Sequence, residues 1–261
     1  MKVLPQLLSV ILFCGGCQSS TGGNFVTFKA FASGPKDATG APLTFNNNMG
    51  YRVTLTQASL HMGALYLNQQ FPIAGAQQTD CILQGVYVGE VLGDVDVDVL
   101  SPIPQSFRSV GVGLKREVKT AELWLTGGGD INALTDPTII AQITGTATKN
   151  GTAYPFAGQV TIGHNRQLPP LNPAEPGSNP ICKQRIISGL AVQIDLVNNG
   201  NLLVQIDPRV WMHNIEFANL PNVNTVESPR YEFLDSLADP ISTTFFDNLK
   251  NHDAYSFEWS P

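Results

Sequence analysis

The sequence predicts an all-β protein, an antiparallel β-sandwich carrying one or two short helices. Three observations predict it. Segments of alternating polarity recur along the chain, at residues 25–31, 52–60, 118–126, 139–148 and 152–162, the period of half-buried strands. Turn-forming residues punctuate them, as in Asn46-Asn47-Asn48, Lys149-Asn150-Gly151 and Asn198-Asn199-Gly200. Charged residues are only 14% of the 261, against 24 Gly and 18 Pro, and long charged helices cannot be built from that composition. Many strands with little helix imply sheets packed face to face.

The chain opens on a targeting signal. Lys2 is followed by an apolar run over residues 3–13 that is too short for a spanning helix, which needs about 20 residues. The run ends in Cys14-Gly15-Gly16-Cys17. Small residues immediately before a cysteine, after such a run, resemble the box of bacterial lipoproteins. The departure is Cys14, where that family usually carries Leu, Ala or Val. The resemblance implies removal of residues 1–16 as a signal peptide and lipid on the sulfur of Cys17. The protein would then be a lipoprotein membrane-anchored in the cell envelope by acyl chains rather than a helix. Gln18 after the cysteine suits the outer membrane. Residues 17–23 read as a flexible tether, and residues 24–261 as a single β-sandwich domain. Ordinary cleavage nearby, giving a free exported protein, is the alternative.

Taken in order, residues 25–31 alternate Phe and Val with Thr and Lys as a first strand. The longest β-type pattern, residues 50–68, follows the Asn46–Asn48 turn. Its alternation slips near Gln57-Ala58, and Gly63 marks a candidate bulge in a run that turns nearly continuously apolar from Leu60 to Leu67. Residues 86–99 end with Asp94, Asp96 and Asp98 alternating with valines, which places the aspartates on one strand face. They suit a solvated face, or else a hard cation. Residues 118–126 form another strand. Asn150-Gly151 between alternating runs predicts a hairpin, and Asn199-Gly200 a second one between residues 186–196 and 202–206. Asp207-Pro208 reads as a helix cap with proline in the first turn, and residues 242–250 as a further short helix. Residues 255–259 form a final strand.

Once Cys14 is removed and Cys17 is lipidated, Cys81 and Cys182 remain. A pair in an exported chain reads as a disulfide, contributing about 4 to 5 kcal/mol in the chain-entropy account. The net charge of −6 and the absence of a basic patch argue against nucleic acid as a partner.

No G-x-S-x-G, H-E-x-x-H, Walker or dinucleotide motif is present, so the chain reads as a non-enzymatic binding or structural protein, with a protein partner in the envelope as one expectation. A hydrolase assembled from distant residues stays as a lesser alternative. The other alternative is metal handling. His61-Met62 lies in the long strand pattern and Trp211-Met212-His213 in the first helical turn, with His164 in a turn after a strand. Imidazole with thioether suits copper. His252 reads as a helix-end residue.

The Trp211-Met212-His213 triplet in an exported β-rich chain is similar to that of the copper-binding surface and periplasmic proteins of methane oxidisers, including the methanobactin-associated periplasmic protein. The resemblance implies that Trp211 would be oxidised to kynurenine by a di-haem partner. It also implies that Trp211 and His213, with His61 or His164, would bind copper. The cysteine-rich motif of related proteins is missing. With the thioethers of the residue-level reading, the candidate metal set is His61, Met62, Met212 and His213, with His164 as a further imidazole; for Trp211 the alternative is a core aromatic capping the sandwich.

Overall fold

The computed structural model describes residues 24–71, 86–126, 138–162, 186–223, 230–236 and 238–261. Cys14, Cys17, Cys81, Cys182 and His164 lie outside them, and with them the signal segment, the lipid box, the tether and the expected disulfide. The described strands, in chain order, are β1 (Phe25–Ser33), β2 (Leu43–Asn46), β3 (Arg52–Met62), β4 (Ala64–Asn68), β5 (Tyr87–Val91), β6 (Val95–Asp98), β7 (Gln105–Ser106) and β8 (Gly111–Leu114), then β9 (Glu117–Trp124), β10 (Ile139–Lys149), β11 (Thr152–Thr161), β12 (Ile186–Asp195), β13 (Gly200–Ile206), β14 (Tyr231–Phe233) and β15 (Tyr255–Ser260). Among the described residues two α-helices join them, α1 (Pro208–Trp211) and α2 (Pro240–Leu249).

The strands form two sheets. The larger runs β12-β9-β4-β5-β8-β1-β13-β15, with β7 also on β1; the smaller runs β14-β11-β10-β3-β2, with β6 also on β3. Their inner faces supply one hydrophobic core that includes Val53, Leu55, Leu60 and Met62 of β3, Leu65 and Leu67 of β4, and Leu202 and Val204 of β13. The fold is therefore all-β with few short helices, as the alternation predicts. The sheets are not wholly antiparallel: β1 pairs β13 and β11 pairs β14 in parallel.

The long pattern around residues 50–68 is the hinge of this arrangement. Val53, Leu55, Ala58, Leu60 and Met62 face the core. The slip near Gln57-Ala58 is a bulge: Leu55 pairs Gly145 and Gln57 pairs Thr144, leaving Thr56 as the extra residue. Gly63 marks something other than a bulge. There the chain leaves the smaller sheet and enters the larger one without a loop, its N–H donating to the Trp124 carbonyl at 2.8 Å. The continuous apolar run is thus the meeting of two half-buried strands at a sandwich corner.

Asn150 and Gly151 (φ 51° and 79°) make the expected hairpin between β10 and β11. The second expected hairpin does not form: β12 pairs β9, whereas β13 pairs β1 and β15. The Asn198-Asn199 turn docks on β1 instead. Asn198 Oδ1 accepts from the Thr27 N–H at 3.0 Å, and Asn199 N–H donates to the Thr27 carbonyl at 2.8 Å. Long-range pairing with β1 overrides the local turn signal.

Both helices start on the same device. Asp207 caps α1 by accepting from Arg209 N–H, and Asp239 caps α2 by accepting from Ile241 N–H, each with proline next in the chain. Arg209 locks α1 to the β1–β2 connection, with its guanidinium on Asp37 at 2.7 and 3.0 Å. An aromatic cluster under the helices joins Phe156 to Phe217 (4.8 Å between ring centroids) and Phe233 to Phe245 (5.0 Å). Gly158 lets Phe233 lie against β11, because a Cβ there would meet Phe233 Cβ at 2.5 Å.

The turn into β3 is tied to this capping region by one buried amide. Asn47 donates from Nδ2 to the carbonyls of Met212 (3.1 Å) and Ile215 (2.9 Å) and accepts on Oδ1 from the N–H groups of Met49 (3.1 Å) and Tyr51 (2.9 Å). Every donor and acceptor site of the side chain is used. Replacing it takes one hydrogen-bond partner from each of four backbone groups, so Asn47→Ala should lower stability by about 2 to 4 kcal/mol. Asn48→Ala, an exposed neighbour, should change it by less than about 0.5 kcal/mol. Urea unfolding of both variants measures the difference.

Candidate functional site

The alternation of β3 decides which side chains reach the surface. Leu60 and Met62 point to the core, so His61 between them projects from the outer face of the smaller sheet. Asp96 lies directly opposite on β6. Its Oδ1 sits 2.6 Å from His61 Nδ1, and the histidine side chain is 15% exposed. A carboxylate accepts only, so neutral His61 carries its proton on Nδ1 and leaves Nε2 with a free lone pair.

Beside this pair the edge of β3 is covered in two halves. β2 pairs residues 52–55 and β6 pairs residues 59–62. The bulge at Thr56 and Gln57 falls in the gap. A cleft of about 300 Å³ opens there, lined by Thr56, Gln57, Ser59, Asp96 and Asp98 with Ala41, Ala58, Val97 and Leu100. The half-strands, the bulge and the cleft are one feature, since pairing along β3 cannot stay in register across the extra residue.

The three aspartates do not converge on a cation. Asp94 pairs with Arg108 at 2.9 Å, Asp96 holds His61, and Asp98 accepts from the Leu100 N–H at 3.0 Å. Val95 and Val97 between them are buried, which is the solvated-strand arrangement.

The proposed metal ligands are not brought together. The carbonyl of His213 accepts from Asn48 N–H at 3.0 Å, beside the turn that starts β3. His61 stands near the end of the same strand. At about 3.3 Å per residue, the run from Arg52 to His61 is about 30 Å long, far beyond shared ligation at about 2 Å bonds. Met62 and Met212 are both 0% exposed and belong to the core, as does Trp211. Trp211 packs against Phe245 at 6.4 Å, and its buried indole N–H has no hydrogen-bond partner among the described residues. His164 lies outside the described residues. Among the described residues no three His, Cys, Asp or Glu side chains gather into a metal site. The strand period alone separates His61 from Met62; the distance to His213 was not legible because it depends on which turn α1 packs against. His252 follows α2 in a short 3-10 turn.

Asp96 is visible in the sequence, though not as the partner of His61.

No family model and no curated protein matches the chain. Among solved structures, MbnP from Methylosinus trichosporium aligns with 91% of this chain and 98% of its own at 13% identity, with a TM-score of 0.37.

The His61–Asp96 geometry makes a tautomer prediction. Long-range 15N–1H correlation spectra at a pH where the ring is neutral should show His61 protonated on Nδ1. In Asp96→Ala the signal should shift to the Nε2-protonated form that an unconstrained histidine side chain prefers. An Nε2-protonated ring in the wild type would contradict the pairing.

Proposed function

We propose that the chain is a lipid-anchored protein of the bacterial cell envelope with a non-enzymatic binding role, and that the cleft beside the β3 bulge is the binding surface. What supports this reading is the place of the cleft relative to the start of β1, where the expected tether joins the domain. Seven residues separate Cys17 from Phe25, the start of β1, and even fully extended the eight steps between them reach no more than about 28 Å. The start of β1 therefore stands close to the bilayer. β1 then carries the chain about 26 Å to Ser33 at about 3.3 Å per residue. There Gly34 N–H donates to the Ser101 carbonyl at 2.8 Å, next to Leu100 in the cleft wall. On this reading the cleft lies near the end of β1 opposite the tether.

Metal handling is the second reading, favoured by one observation: Nδ1 of His61 is held by a carboxylate, the arrangement that orients an imidazole for ligation through its other nitrogen. On this reading copper is the candidate metal and His61 supplies one ligand, without Met62, Met212 or Trp211.

The anchor is tested by labelling cells with a palmitate analogue. The wild-type chain should incorporate label and sediment with membranes, and Cys17→Ser should do neither. An unlabelled wild type found in the soluble fraction would overturn the anchored reading.

A further inference from the structure

β1 begins beside an exposed apolar stripe. Val26, Phe28 and Ala30 fill the core, so Phe25, Thr27 and Lys29 point to the outer face of the larger sheet. On β8 Gly111 faces inward, where a Cβ would meet the Phe28 ring at 2.2 Å, and Val112 therefore faces outward. Leu114 lies opposite Phe25, and Val112 opposite Thr27. Val110, just before β8, and Leu92, just after β5, extend the stripe. They are neighbours because Gly93 abuts Ser109, whose nitrogen a Cβ would meet at 2.4 Å. Phe25 is 69% exposed, Val110 61%, Leu92 60% and Val112 42%. Apolar side chains exposed singly are ordinary, but a contiguous set marks an interaction surface.

Basic side chains border the end of the stripe where β1 begins. Lys115 N–H donates to the Asn24 carbonyl at 2.7 Å, which holds the β8–β9 turn against the residue before Phe25. Lys115 and Arg116 in that turn are both exposed, and Lys29 is exposed on the outer face two residues beyond Thr27. The acid that follows them, Glu117, pairs with Lys119 at 3.4 Å. Glu90, opposite Val112, is half-buried. The chain as a whole carries −6, so cations gathered around an exposed phenylalanine run against its average. An aromatic ring flanked by lysine and arginine matches the boundary of a bilayer, where the ring meets acyl chains and the cations meet phosphate.

The length of chain before β1 points to the occupant. On the anchored reading seven residues separate Cys17 from Phe25, so the lipid surface is never more than about 28 Å from the stripe. We propose, resting on that reading, that the stripe docks on an anionic phospholipid surface, with the Phe25 ring at the acyl boundary and Lys115 and Arg116 on lipid phosphates. An acyl anchor alone leaves the domain free to turn about a flexible tether; docking fixes one orientation. The two sheets pack face to face, and His61 and Asp96 lie on the outer face of the smaller one. A domain docked through the larger sheet therefore turns that pair away from the lipid.

The test uses the chain purified from membranes and placed in vesicles of phosphatidylcholine and phosphatidylglycerol whose acyl chains carry bromine, a contact quencher of indole. The emission of Phe25→Trp, less that of the wild type, should fall about twofold or more relative to vesicles without bromine. Lys115→Glu with Arg116→Glu in that background should remove at least about half of the quenching. Raising the salt concentration should weaken it without those substitutions. All three positions are exposed, and near-UV circular dichroism verifies that the fold is kept. Palmitate label and sedimentation with the vesicles are read on the same samples. A labelled, sedimenting chain whose introduced indole is not quenched overturns docking and leaves the anchor standing. Emission shifted to shorter wavelength without quenching overturns it likewise, since a protein or a second copy then covers position 25. Quenching that survives both charge reversal and salt overturns the role of the basic pair. A wild type without label overturns the anchored reading, and the docking with it.

Discussion

One uninterrupted run of chain belongs to both sheets, and the remaining architecture is arranged around that constraint. β3 and β4 are separated by Gly63 alone, whose N–H is held by the Trp124 carbonyl of β9. With no loop to absorb a mismatch, the register of β3 against β10 and the register of β4 against β9 are set together. Alternation then fixes every side chain along the run. Met62 must fill the core, His61 must look out from the smaller sheet, and Tyr66 must look out from the larger one. Two chemically distinct surfaces follow from one strand.

The other end of β3 is held by polar rather than apolar contacts. Asn47 is buried and fully bonded to the α1 segment. Next to it Tyr51, 1% exposed, donates from its hydroxyl to Glu216, which also pairs with Lys149 at 3.2 Å. Lys149 lies 4.5 Å from the Tyr51 ring centroid. A satisfied network of this kind specifies one docking geometry, because a shifted helix would leave several buried groups unpaired. It also fixes Trp211, Met212 and His213 at this end, where the first two fill the core.

The strands, the Asn150-Gly151 hairpin and the Asp-Pro helix starts were legible because each is a local preference written in a few adjacent residues. The same Asp-Pro signature also opens α2 at Asp239-Pro240, two residues before the start expected at 242. What local reading missed was decided at long range. Asn199-Gly200 carries a hairpin signal, yet the turn serves β1 through Thr27. Gly63 reads as a strand irregularity, and only the partner strands distinguish a bulge from a change of sheet. His61 and His213 look alike as imidazoles beside methionines, and their separation follows from tertiary packing that no spacing encodes. Asp96 was visible as an acid on a strand face, but its pairing with His61 required knowing that β6 lies on β3. Glu122 sits in a strand, residues 118–126, whose alternation reads it as an outward side chain, and its 7% exposure is set by tertiary packing.

The central claim is that the two ends of β3 act separately, with His61 on the outer face of the smaller sheet and His213 beside the capping helix. Copper titration of the full chain and of His61→Ala and His213→Ala, with Cu(II) paramagnetic resonance to count coordinated nitrogens, tests it most directly. The two substitutions should have different effects: any site lost in His61→Ala persists in His213→Ala with the same nitrogen count. A stoichiometric site lost equally in both variants would contradict the claim, because it would require the two histidines to meet on one ion.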